Sequence, residues 1–120
     1  MKLRLVVVFC LAAVALSAQT VASDRQAVLT KYCFTCHNDK VKAGNLILSA
    51  LDSANPSKNA EQWEKVVRKL RMGAMPPAKM PRPDKTATDS FVASLEADLD
   101  RRERAVAGAG SRVEQLRQRN

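Results

Sequence analysis

Apolar positions along the chain fall into runs of different kinds. From Leu5 to Leu16 they are nearly unbroken (LVVVFCLAAVAL). Further on, Trp63, Val66, Val67 and Leu70 recur at i, i+3, i+4 and i+7, one stripe of a helix. Lys65, Arg68, Lys69 and Arg71 take its wet side. Asn59-Ala60-Glu61-Gln62 predicts a capping-box-like start for this helix, and Gly73 its stop. Phe91, Leu95 and Leu99 stack at four-residue spacing with Val92 alongside, a later helix opened by Thr86-Ala87-Thr88-Asp89. An earlier helix is expected from a cap at Ser23 or Asp24 to about Tyr32 or Cys33, with Val28, Leu29 and Tyr32 on its apolar side.

Between these helices the period is lost. Ala43-Gly44-Asn45 reads as a turn, and Leu46-Ile47-Leu48 as packed loop or extended chain. Gly73 to Pro83 (GAMPPAKMPRP) holds four of the five prolines and cannot be the interior of a helix or sheet. Past Asp100 the apolar pattern dissolves; Gly108-Ala109-Gly110-Ser111 reads as linker, and the last residues as frayed helix or disorder. The expected fold is therefore all-α, about three helices with little strand and one long proline-bound loop.

The first apolar run changes the domain picture. Met1-Lys2-Leu3-Arg4 is a basic start, the run follows, and Ser17 to Ala22 offers small residues for cleavage, the layout of a secretory signal peptide. The run is too short to span a bilayer comfortably. Cys10 lies inside it, so no lipid-attachment cysteine stands at its end. The 120 residues then divide into a signal peptide at 1–22, one small domain at 23–104 and a basic flexible tail at 105–120. The net charge of +8 is concentrated at the C-terminus, where Arg101 to Asn120 carries six arginines and two glutamates. The export signal and an aromatic content of 4% speak against nucleic acid as a partner. So few aromatics also leave a small core in need of a staple, which a large apolar cofactor would supply.

Removal of Cys10 leaves two thiols, both in Lys31 to Lys40 (KYCFTCHNDK), directly before the chain's single histidine. Three chemistries compete for them. Structural zinc wants four ligands, usually two Cys/His pairs, and no second pair exists here. A thioredoxin-type dithiol wants a strand leading into C-x-x-C and a helix after it; here a helix precedes and a loop follows. Covalent haem needs two thiols for the vinyl groups and an adjacent imidazole for the iron, and Cys33, Cys36 and His37 form that C-x-x-C-H set. Haem c, one per chain, is the expected cofactor.

With one histidine, the iron's second axial ligand is a methionine or a lysine, or the position is open. Met72 ends the second helix opposite the Trp63 stripe and is expected to point outward. Met75 and Met80 both lie in the proline loop and both precede a proline, which holds them extended. Their local chemistry does not separate them. Trp63 reads as core, with an indole N–H that could reach a haem propionate. Tyr32 and Phe34 are expected to pack near the porphyrin. Lys31, Lys40, Lys42, Lys79, Arg82 and Lys85 read either as an ordinary solvated surface or as a cationic ring for an acidic redox partner.

Three blocks carry a resemblance: YCFTCHNDKVKAGNL, AEQWEKVVRKLRMGAMPP and RPD…FVASLEADLDR. From about Lys31 to Arg104 the chain resembles the short class I cytochrome c domains of large exported planctomycete and acidobacterial proteins. The haem motif is common to all c-type cytochromes; the WEKVVRKLR…GAMPP block is what points to this family. The resemblance implies a small class I cytochrome c-like fold around covalent haem, Cys33 and Cys36 as thioether sites, His37 as proximal ligand and Met75 as distal ligand. After Arg104 the chain departs from the family, whose members usually continue into further domains. The function so implied is single-electron transfer by an exported, monomeric carrier in the periplasm or at the outer face of the cytoplasmic membrane, not an enzyme. An open-site haem of peroxidase-like or gas-binding type, and an electron-entry or interaction module of a larger protein, are the alternatives.

Overall fold

The computed structural model describes residues 20–119. The signal-peptide reading falls almost wholly on residues outside that range. Three α-helices dominate: α1 (residues 20–32), α2 (Ala60–Arg71) and α3 (Lys85–Gln118). Three short 3-10 turns, Ala43–Asn45, Leu48–Ala50 and Pro56–Asn59, lie between α1 and α2. Among the described residues there is no strand, as the all-α expectation required. No described helix is long and apolar enough to cross a membrane. The chain divides into two compact units, Met1–Ala54 and Asn55–Asn120.

In the first unit, α1 ends where expected but does not start where expected. It is already helical at residue 20, and the Ser23 hydroxyl donates to the Thr20 carbonyl at 2.7 Å instead of capping an N-terminus. That is the back-bonding a serine makes inside a helix. Leu29 is fully buried and Leu48 nearly so. Arg25 is only 3% exposed; its guanidinium donates to the Ser53 carbonyl at 3.0 Å, and the Ser53 hydroxyl donates to Gln26 Oε1 at 3.1 Å. This tie fastens α1 to the end of the following loop. The Ala43–Asn45 turn is built from left-handed backbone, with φ of 49° at Lys42, 61° at Gly44 and 56° at Asn45. Leu46 to Leu48 is packed loop leading into the 3-10 turn at Leu48–Ala50.

In the second unit, α2 packs on α3, and the turn at Pro56–Asn59 packs against both. The expected capping box is not formed. The chain enters α2 directly from the 3-10 turn, with Asn59 at φ −131°, ψ 47° and no side-chain cap bond. That is outside the extended backbone a capping residue normally adopts. Gly73 stops α2 as expected, at φ 65°. Its N–H donates to Leu70 O at 3.0 Å while Ala74 N–H donates to Lys69 O at 2.9 Å, the two bonds of a Schellman ending. The helix α3 begins earlier than Thr86: Asp84 is its cap, with Oδ1 accepting from Ala87 N–H at 2.8 Å. The predicted stripes are the buried ones, Trp63 and Val66 on α2 and Phe91, Val92, Leu95 and Leu99 on α3. Past Asp100 the pattern dissolves in burial, not in helicity. Residues 101–119 are all exposed, yet α3 continues through Gly108 and Gly110 to Gln118. Alanine and arginine, both good helix formers, fill much of that stretch and offset two glycines that cost about 1 kcal/mol each.

Candidate cofactor site

The first unit presents the thiols and the imidazole on a single turn. As α1 runs out, Cys33 N–H still donates to Leu29 O at 2.9 Å. The Cys33 carbonyl then accepts from Cys36 N–H at 3.2 Å and from His37 N–H at 3.0 Å. Both thiols are free and partly buried. Burial pushes the Cys33 thiol up to about 11, so in the chain by itself it is a neutral thiol at pH 7. The turn is tied to the loop beyond it: Ala43 N–H donates to Cys36 O at 3.0 Å and Ser49 N–H to His37 O at 3.3 Å.

Asn38 completes this turn, and the sequence reading missed it. Its Nδ2 donates to Phe34 O at 2.7 Å and Thr35 O at 3.1 Å, and its Oδ1 accepts from Lys40 and Val41 N–H, each at 2.9 Å. One amide thus joins the two residues between the cysteines to the two residues beyond Asp39. The available signal was an asparagine next to the motif, since asparagine side chains close turns on their own backbone.

The second unit presents the methionines. Met72 is 72% exposed and points outward, as expected, and Met80 is 42% exposed. Met75 is partly buried and precedes a buried proline, Pro76, through a cis peptide bond. Its loop turns again where Met80 N–H donates to Pro77 O at 3.1 Å, and Lys79 there has φ 72°. The Arg82 guanidinium donates back to Gly73 O at 3.1 Å and to Pro76 O. Trp63 is fully buried on α2.

Two buried polar side-chain atoms among the described residues have no hydrogen-bond partner, His37 Nδ1 and Trp63 Nε1. Orphans of this kind are uncommon in a folded chain and ask for a partner the polypeptide does not supply. In the first unit a buried imidazole nitrogen without a protein partner stands on the same turn as two free thiols, a set that fits covalent haem. In the second unit the indole N–H is a donor that needs an acceptor. Zinc fits poorly, because no group of three or more His, Cys, Asp or Glu side chains gathers among the described residues. The dithiol reading fits poorly as well, since a helix and not a strand leads into Cys33.

Tyr32 and Phe34 are both partly buried. The six cationic residues singled out above, Lys31, Lys40, Lys42, Lys79, Arg82 and Lys85, are all exposed. The Lys31 ammonium lies over the Tyr32 ring at 5.2 Å, Lys85 pairs with Asp89, and Arg82 is engaged with backbone carbonyls.

A family model described as planctomycete cytochrome C matches residues 33–79. The match begins at the first thiol of the C-x-x-C-H turn and ends within the proline loop, four residues beyond Met75. No curated protein and no solved structure matches the chain.

Proposed function

We propose, from a chain whose residues 33–79 match the planctomycete cytochrome C family, that this is an exported monohaem electron carrier with histidine and methionine on its iron. The observation that carries the reading is the C-x-x-C-H turn itself, which sets two free thiols and an imidazole on one helical turn inside the matched region. Cys33 and Cys36 hold haem c through thioethers, and His37 is the proximal ligand. Met75 is the distal ligand in preference to Met80, because Met75 is partly buried beside a buried proline while Met80 is 42% exposed. Haem c, when bound, would supply one-electron exchange between Fe(III) and Fe(II), and a methionine ligand would raise its potential. The chain's own residues do the rest. The α1 end and Asn38 fix the attachment turn, the proline loop limits the freedom of Met75, and Trp63 offers its N–H to a propionate. The exposed lysines Lys40, Lys42 and Lys79 support docking on an acidic redox partner. The basic N-terminal leader followed by an apolar run supports export.

The test is protein exported by a host with an intact haem-maturation system. Haem should resist acid–acetone extraction, stay with the chain on a denaturing gel, and show the thioether-to-iron charge-transfer band when oxidised. Met75→Ala should abolish that band, lower the reduction potential and open the reduced form to carbon monoxide, with haem still attached. Met80→Ala and Met72→Ala should leave the band in place. A parent protein that lacks the band and already binds carbon monoxide is an open-site haem protein, and the carrier reading then fails.

A further inference from the structure

The loop that carries Met75 is stiffened by its prolines but has few hydrogen bonds of its own to hold it in place. Four of its positions between Gly73 and Pro83 are prolines, which have no N–H to donate. Its one internal turn bond, Met80 N–H to Pro77 O, lies wholly after Met75. The carbonyls on either side of the methionine, Gly73 O before it and Pro76 O after it, are instead taken by a single side chain, that of Arg82. Arg82 is itself fixed in direction. It stands between Pro81 and Pro83, so its own backbone is held extended, and Asp84 immediately beyond anchors the chain as the cap of α3.

We propose that Arg82 is the positioning residue of the Met75 loop, its guanidinium bridging the carbonyls of Gly73 and Pro76 so that the thioether between them is held in place for the iron. The proposal rests on the reading of Met75 as distal ligand. Both bonds leave one terminal nitrogen, Nη2, which the planar guanidinium holds rigidly between the two carbonyls. A lysine ammonium ends a shorter and more flexible stem, so it holds that position less well. A thioether is a weak ligand, so it keeps its place against competitors only if its loop gains little freedom by letting go. Loss of the bridge frees that loop and should favour any exogenous ligand for the iron.

The experiment measures imidazole binding to the oxidised haem protein, for the parent, Arg82→Ala, Arg82→Lys, Met75→Ala and the double variant Met75→Ala/Arg82→Ala. The charge-transfer band is recorded in each. Arg82→Ala should bind imidazole about tenfold more tightly than the parent, the scale expected for losing a charge-assisted tie at a partly exposed site. Arg82→Lys should fall between, at about threefold, and it decides the question if Arg82→Ala does not accumulate as haem protein. In the Met75→Ala background, Arg82→Ala should change imidazole affinity by less than about twofold, because no thioether remains to be positioned. Unchanged affinity in Arg82→Ala or, failing that variant, in Arg82→Lys overturns the proposal while leaving Met75 as ligand. An equal gain with and without Met75 overturns it too, since the arginine would then serve the fold and not the methionine. A parent without the band removes Met75 as ligand before any arginine variant is made, and the proposal falls with it.

Discussion

Replacing Arg25 with alanine removes a charge that the structure buries almost completely. Arg25 is 3% exposed, and burial lowers its pKa without bringing a guanidinium near neutrality. Its bond to the Ser53 carbonyl, at 3.0 Å, reaches across 28 residues. Loss of a hydrogen bond to a charged donor costs about 1.5–3 kcal/mol, and a buried carbonyl left without its partner adds about 1 kcal/mol or more. Relief of the buried charge returns part of this, since such ties stabilise little beyond their own desolvation. The net expectation is a loss of about 2–4 kcal/mol. Guanidinium chloride unfolding of the haem protein, followed by far-UV circular dichroism, should show the midpoint falling with little change in slope. The loss should also reach the haem motif, because the 49–53 stretch that Arg25 anchors is the one whose Ser49 N–H donates to His37 O. Amide exchange at Ser49 should therefore quicken in Arg25→Ala. A loss under about 0.5 kcal/mol, or exchange at Ser49 as slow as in the parent, would refute the buried tie.

Three further outcomes follow from the local geometry. Asp84→Ala should cost about 1 kcal/mol, or about 4–8 °C in Tm, while Asp84→Asn should cost almost nothing; equal losses would show that the cap on Ala87 N–H is not what matters. Asn38→Asp keeps the two acceptor bonds from Lys40 and Val41 but gives up both donor bonds to Phe34 and Thr35, so denaturant unfolding should report a loss of about 1–2 kcal/mol. A neutral result there would mean that the amide does not close the attachment turn. Deletion of Ala107 to Asn120 should leave haem incorporation and thermal stability nearly unchanged, since every described residue in that stretch is exposed; a drop of several degrees would show that the end of α3 packs on something.

The thiols, the imidazole and the two buried helix faces were legible in the chain because each depends on neighbours within a turn or two. Cys33, Cys36 and His37 share a turn whatever surrounds them, and Trp63 with Val66, or Phe91 with Leu95 and Leu99, line up by the helical repeat alone. Gly73 ended α2 for the same local reason, its positive φ. Helix ends were less legible where a competing local bond took the expected cap. Ser23 bonds back to Thr20, Asn59 enters α2 from a 3-10 turn, and Asp84 caps α3 ahead of Thr86. The end of α3 was left open between frayed helix and disorder, because loss of an apolar stripe signals loss of burial and says nothing against helical propensity. Met75 and Met80 have the same neighbour, a proline, so no local rule parted them; their difference in exposure comes from packing. Arg25 and Arg82 look like surface arginines in the sequence. One lies buried against a carbonyl 28 residues away and the other reaches back to Pro76 and Gly73, six and nine residues earlier. Only the folded chain brings such donors and acceptors together, because the partners of a long side chain are set by where the backbone returns and not by its spacing in sequence.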